Sequence, residues 1–319
     1  MNRRAWTLLL TLSAIWGASY MLIKIGIRDF SPAMVAFLRV ALAAIVLLAL
    51  AARRGALTGF SALIGTIALL AVVQVAGPFL LIAAGEQEIS SSLAGILVTS
   101  TPLFTALLAI WVDHEERSQG SRLAGIALGV AGVVLLLGVD LGGSGAQLLG
   151  GLAVVLAGLG YAVGGLLAKS RVADRPPIGV AAWVLAGSTV LLAPVAAIGF
   201  PDSVPGLGPV GAITLLGVVG TGFAFVILYE LFATIGPSRA WTVTYLAPGF
   251  AVVYGAVLLD ERVTAATLAG LALILIGSYL AAEGGNPLRG RAGAAPAAQE
   301  GSGAVAIGAE LVPERVEGR

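Results

Sequence analysis

The stretch PLFTALLAIWVDHEERSQGSRLAG, residues 102–125, decides the fold, because the chain spells it again as PGFAVVYGAVLLDERVTAATLAG at 248–270. Each copy has a proline heading an apolar run (Pro102, Pro248) and a Glu-Arg pair closing it (Glu116-Arg117, Glu261-Arg262). A Leu-Ala-Gly then opens the next run (Leu123–Gly125, Leu268–Gly270). The echo extends upstream: Lys24, Asp29 and Pro32 return as Lys169, Asp174 and Pro177. Ile67, Leu69, Leu70, Val72 and Val73 return as Ile213, Leu215, Leu216, Val218 and Val219, and a slip of a single residue reconciles the two offsets. Apolar matches are cheap in so hydrophobic a chain, so the weight falls on the prolines, lysines, aspartates and Glu-Arg pairs. The chain is a duplicated unit.

Composition gives the solvent. Of 319 residues, 58% are hydrophobic and 11% charged, with a mean hydropathy of +1.00, whereas soluble domains carry about 25% charged residues. Eighteen basic and seventeen acidic side chains nearly cancel, which gives no support to nucleic acid as a partner. There is no cysteine, which excludes disulfides and thiolate metal sites. The first apolar run, behind Arg3 and Arg4, is too long for a signal-peptide core and carries a lysine, so it reads as a retained span.

About 20 apolar residues cross the hydrocarbon of a bilayer. Ten segments qualify: 6–27, 33–52, 61–84, 92–112, 121–139, 147–168, 178–199, 208–233, 239–259 and 264–282. Each must be helical, because the bilayer core offers the backbone no water. With the amino terminus cytoplasmic, inner loops hold Arg3, Arg4, Arg53, Arg54, Arg117, Arg122, Lys169, Arg171, Arg175 and Arg239. Outer loops and their flanks hold Lys24, Arg28 and Arg262, so the charge bias places both termini inside. Five spans per repeat is an odd number, so the halves insert upside down relative to each other. The expected fold is therefore an all-α polytopic membrane protein of ten transmembrane helices in two inverted five-helix repeats. Residues 1–140 and 146–283 form the repeats, and 284–319, rich in Ala, Gly, Pro and Glu, form a disordered cytoplasmic tail.

Trp16, Tyr20 and Lys24 stand four residues apart and share one face of the first span. Tyr161, Gly165 and Lys169 repeat that face on the sixth. Two readings stay open: walls of a substrate cavity, with rings for the substrate body and an amine for an anionic group, or interfacial rings and snorkelling lysines. Gln74 sits mid-span in the third segment and Thr99-Ser100-Thr101 precede Pro102 in the fourth; such groups line a pathway or join helices. Pro102 and Pro248 each remove a backbone hydrogen bond and are expected to kink the fourth and ninth spans toward a wet cavity. Glu230, in the eighth span, is read as the one acid well inside a span. It is expected to pair with Lys169 as an inner gate, to carry a coupling proton, or to rest at the interface. Trp241 and Tyr245, one turn apart on the ninth span, are further wall candidates. Gly125 and Gly129 on the fifth span and Gly160 and Gly164 on the sixth let backbones approach closely. Glu116 and Glu261 are expected to fix helix ends, and His114 lies in a charged loop without metal-ligand spacing.

The Trp16-Gly17…Lys24 segment, Pro32…Phe37-Leu38-Arg39 and the doubled Pro…Glu-Arg…Leu-Ala-Gly together resemble the EamA-type drug/metabolite transporters over about residues 6–282. The resemblance implies a secondary transporter, often an exporter of amino acids, other metabolites or drugs. It also implies a central cavity lined by spans one, three, four, six, eight and nine, with spans five and ten packed outside. Arg39 stands at a family position, which favours a structural role in hydrogen bonds to carbonyls of a neighbouring helix. The chain departs from internal symmetry where Tyr161-Ala162 stand in place of Trp16-Gly17, so contacts cannot be copied from one half to the other. The expected partners are a small-molecule substrate and the lipid bilayer, with no cofactor; a homodimer is compatible with the sequence. Transport across the cell (inner or plasma) membrane, most readily export, is the leading expectation. A membrane-embedded enzyme on a lipid-linked substrate lacks paired acids or a histidine–acid couple within the spans, and the chain has no Walker-type loop for ATP. A non-transporting scaffold has no recognisable interaction domain to support it.

Overall fold

The computed structural model describes residues 3–112, 120–140 and 144–283. Glu116, Arg117, His114 and the tail at 284–319 lie outside the described residues. Among those described there are helices and no strands. Eight helical stretches are long and apolar enough to cross a membrane, and Val243–Leu258 and Ala265–Ala281 are shorter apolar helices.

Helix α1 is Arg3–Gly26 and α2 is Pro32–Arg53. Pro32 opens α2 because its fixed φ suits the first turn and its missing N–H has no partner to lose there. Ser31 caps that helix, accepting from Met34 N at 3.2 Å, and donates to Gly199 O at 2.9 Å. The third stretch begins with a 3₁₀ turn, Ser61–Leu63, then α3 (Ile64–Leu70), a π-helical segment (Ala71–Ala76) and α4 (Gly77–Glu88). The fourth divides into α5 (Ser91–Val98) and α6 (Thr101–Val112). Helix α7 (Gly120–Leu135) runs into a π-helical turn at Leu136–Asp140. Then come α8 (Gly145–Arg171), α9 (Pro177–Ile198) and α10 (Leu207–Gly217), which continues through a second π segment (Val218–Phe223) into α11 (Ala224–Ile235). The short α12 (Pro237–Ala240) precedes α13 (Val243–Leu258) and α14 (Ala265–Glu283).

The principal contacts between the halves pair α1 with α13, α2 with α9, α4 with α8, α5 with α13, and α7 with α14. In addition α10 and α11 pack on α1, α5 and α6 on α8, the second π segment on α2 and the first on α9. Small residues set these crossings. A Cβ on Gly277 would stand 2.4 Å from Gly129 N and 2.6 Å from Gly125 O, so α7 and α14 touch backbone to backbone. Gly160 and Gly164 of α8 meet Val73 O and the Gln74 side chain of the first π segment in the same way. In a membrane such packing supplies much of the association energy, because lipid tails are as apolar as the helices.

The fourth span breaks at Thr99-Ser100, directly ahead of Pro102, which sits in the first turn of α6. The ninth behaves differently. Its break falls at Trp241-Thr242, and Pro248 lies buried inside α13. The π segments within the third and eighth spans went unforeseen. In the first, Pro78 has no N–H for the Gln74 carbonyl, and Gly77 N bonds back to Val72 O, so the turn widens. The same register shift at 218–223 occurs without a proline.

Candidate functional site

Among the described residues Arg39 is the one buried cation, 8% exposed on α2. Its Nε donates to Thr221 Oγ1 at 2.8 Å, and its guanidinium carbon lies 3.8 Å from the centre of the Phe79 ring. Thr221 in turn donates to Leu216 O at 3.1 Å, five residues back along the widened turn. The expected carbonyl partners are thus replaced by a hydroxyl and an aromatic face. A β-branched residue in the π turn can aim its oxygen at α2 while returning its own proton to its helix. Thr221 is the fourth residue of its π segment, as Gln74 is of the other. The Thr221→Val variant keeps the shape but removes the acceptor, leaving a buried charged donor unpaired at a cost of about 1–3 kcal/mol. The expected result is a lower unfolding midpoint for the detergent-solubilised protein; an unchanged midpoint would show the bond to be idle.

Two groups of the expected wall residues are brought together. Tyr20 and Tyr161, from opposite halves, pack against one cluster that includes Ile23, Val35, Ile82, Ala157 and Leu216. Tyr161 also meets Phe79 edge-on at 6.4 Å, so the two tyrosines flank the Arg39 layer. Trp16 and Trp241 stack with centroids 6.5 Å apart, and the rings continue through Phe232, Tyr229 and Phe225. Gln74 lies in the widened third span, its stem against the Gly164 notch. Tyr245 is half-buried one turn beyond Trp241 on α13.

The lysines differ from each other. Lys24 Nζ donates to Ile89 O at 2.8 Å and to Glu86 O, closing the carboxyl end of α4, where free carbonyls carry the negative end of the helix dipole. In this conformation it is therefore engaged with backbone carbonyls. Lys169 is exposed near the last turn of α8. The expected Glu230–Lys169 pair does not form: Glu230 Oε1 accepts from Arg4 Nη2 at 2.6 Å, with side chains 44% and 71% exposed. Arg4 starts α1, which packs directly on α11, so it reaches Glu230 first.

Glu230 is also not the only acid in a span. The third stretch runs to Glu88, past the expected boundary at 84, and so takes in Glu86, which is fully buried with both carboxylate oxygens unpartnered. Sequence reading missed it because Gln87, Glu88 and Ser90 make the end of α4 look like a loop. Glu261 does fix a helix end, though not its own. Its carboxylate accepts from Ser91 N at 2.7 Å, Ser92 N at 2.9 Å and Ser92 Oγ at 2.6 Å, capping α5 of the other half. Among the described residues no cluster of His, Cys, Asp or Glu has the makings of a metal site.

A bundle of bilayer-length apolar helices that buries a guanidinium and half-buries tyrosines and an amide among its helices is a polytopic integral membrane protein. The model of the EamA-like transporter family matches residues 4–138 and again 148–282, and the chain belongs to that family. It is a membrane transporter. Among its relatives, a protein of Escherichia coli strain K12 named as a probable amino-acid metabolite efflux pump is 28% identical over 290 residues, covering 88% of this chain and 95% of that one. An Archaeoglobus fulgidus protein named only as a transporter is 28% identical over 281 residues, covering 87% of this chain and 98% of that one. A solved crystal structure shares the fold, with a TM-score of 0.60 at 21% identity, covering 88% of this chain and 98% of the other.

Proposed function

We propose that this protein exports a small organic solute, an amino acid or related metabolite or a drug, by alternating access between two inverted five-helix repeats, 1–140 and 146–283. The observation that carries this reading is how the helix contacts exchange. Number the ten helical stretches in order and add five to any in the first half. The pair one–nine then becomes six–four, three–six becomes eight–one, and two–eight becomes seven–three; two–seven, four–nine and five–ten become themselves. All of these pairs are among the principal contacts. That exchange supports a two-fold relation between the halves, and on this reading an odd number of spans per repeat lays its axis in the membrane plane, the architecture of many secondary transporters. The efflux named for the Escherichia coli relative supports export.

On this reading Trp16, Tyr20, Lys24, Gln74, Tyr161, Trp241 and Tyr245 bind the substrate between the halves. Pro102 marks the flexure point of the fourth span, and the Trp241-Thr242 break, ahead of Pro248, that of the ninth. Arg39 holds α2 to the eighth span. The Arg4–Glu230 pair closes the inner mouth, with Lys169 at its rim. The setting is the cell membrane, with the amino terminus and the end of α14 cytoplasmic. Flux of radiolabelled amino acids into proteoliposomes tests the assignment. Both Trp16→Ala and Gln74→Ala are expected to lower the initial rate at least tenfold, roughly 1.4 kcal/mol in the barrier, at normal membrane yield. Wild-type rates in both variants would move these residues out of the pathway. Absence of flux in the unmodified protein, for amino acids and for cationic dyes alike, would remove the function itself.

A further inference from the structure

Glu86 is a carboxyl group at 0% exposure, in the last turn of α4, with neither oxygen hydrogen-bonded. Its charged and titratable neighbours come from other elements. Helix α1 brings Lys24 and Tyr20, α2 brings Arg39, α8 brings Tyr161, and Glu261 approaches from the turn after α13. The nearest cation, Lys24, spends its bonds on the carbonyls of Glu86 and Ile89 rather than on the carboxylate. Arg39 is committed to Thr221 and Phe79. Glu261 adds a second negative charge nearby and is itself held by Ser91 and Ser92. An ionised carboxylate so placed has lost its water and gained no partner, and a bound proton removes that penalty. Beside it a surface pocket has Lys24, Ile27, Arg28 and Gln87 in its wall, one residue along the chain from Glu86.

We propose that Glu86 is the proton-coupling site of this transporter. In the conformation described here one carboxylate oxygen carries a proton taken from water. When the α1–α4 end opens, the O–H bond breaks, the proton returns to water on that side, and the carboxylate takes the Lys24 ammonium from the two carbonyls. The same lysine thus serves as a helix cap in one state and as a counter-ion in the other, which ties the proton to the helix movement. The driving species is the transmembrane proton gradient.

This inference rests on the transport reading above, and its test separates the two. Infrared difference spectra of the full-length protein in lipid, recorded across a pH titration, are expected to show the C=O band of a protonated carboxylic acid. That band is expected to be lost in Glu86→Gln and retained in Glu230→Gln. In proteoliposomes loaded with radiolabelled amino acids, an imposed pH gradient is expected to accelerate flux through the unmodified protein. Glu86→Gln should lose that response while still exchanging substrate at equal pH. No protonated-acid band in the unmodified protein at any pH, a band that survives Glu86→Gln, or a gradient response equal to wild type in that variant would each overturn the proposal. Because the spectra need no substrate, a protein that shows the band but no flux would sink the transport reading and leave the proton site standing.

Discussion

Glu261→Ala is expected to cost the folded protein about 3 kcal/mol and to abolish most transport, although Glu261 touches no residue proposed to bind substrate. Every α-helix begins with N–H groups that have no partner within the helix. At the start of α5 each is answered. Ser91 N and Ser92 N donate to the Glu261 carboxylate, Leu93 N to Ser90 Oγ at 3.2 Å, and Ala94 N to Ser90 O at 3.0 Å. Ser92 Oγ adds a third bond to the carboxylate. Hydrogen bonds to a charged acceptor are worth about 1.5–3 kcal/mol each and are not additive. The negative group also faces the positive end of the helix dipole. Alanine leaves two amides and a hydroxyl without that acceptor, at a half-buried site where water only partly replaces it. The turn that delivers the acid is itself unusual: Asp260 is the one non-glycine residue with positive φ among those described, at 54°. Gly255 keeps the space clear, since a Cβ there would stand 2.1 Å from Ser92 Oγ and 2.3 Å from Glu261 Oε2. Glu261→Gln retains an acceptor without the charge and should fall between wild type and alanine. The measurement is the thermal midpoint of the detergent-solubilised protein, paired with amino-acid flux. A midpoint in Glu261→Ala equal to wild type would show that α5 holds its first turn without this carboxylate.

That contact also marks how far the sequence could be read. Helix positions follow from apolar run length: eight stretches are long and apolar enough to cross a membrane, and two further apolar helices are shorter. The doubled Glu-Arg landmark identified Glu261 as a helix-end residue. It could not say which helix, since Ser91 stands 170 residues away and no periodicity links them. Local rules failed wherever the partner was remote. Glu230 was given to Lys169 because both lie toward inner ends, but Arg4 on the adjacent α1 is nearer. Thr221 reads in sequence as one more hydroxyl in an apolar run, and nothing local distinguishes it although it stands where Gln74 stands in the first π segment. By composition Glu86 reads as loop, but the helix runs past it and Lys24 caps its carbonyl. The π turns left no mark beyond Pro78, and the second has no proline at all.

Gly17→Leu is expected to leave little folded protein in the membrane, and Gly17→Ala to fold with a midpoint lower by several degrees and flux reduced at least tenfold. A Cβ at Gly17 would lie 2.4 Å from Phe250 Cβ, 2.7 Å from Ala247 O and 2.9 Å from Ala251 N. The last two are backbone atoms of α13 and cannot rotate away, so α1 and α13 must separate. Two effects oppose each other in Gly17→Ala. Alanine gains about 1 kcal/mol over glycine in a helix interior, whereas forcing extra volume into a packed contact costs typically 1–3 kcal/mol. Three contacts under 3 Å put this site at the upper end, so the clash wins. Separation of these helices also pulls Trp16 from Trp241, whose stacking at 6.5 Å spans the same crossing. Flux should therefore fall further than stability alone requires. Gly249→Ala, on α13 itself, isolates the propensity term because a Cβ there has nothing within 4 Å. It should be neutral or slightly stabilising, with flux retained. If Gly17→Ala and Gly249→Ala shift the midpoint alike, the close approach of the first and ninth spans has no part in holding the halves together.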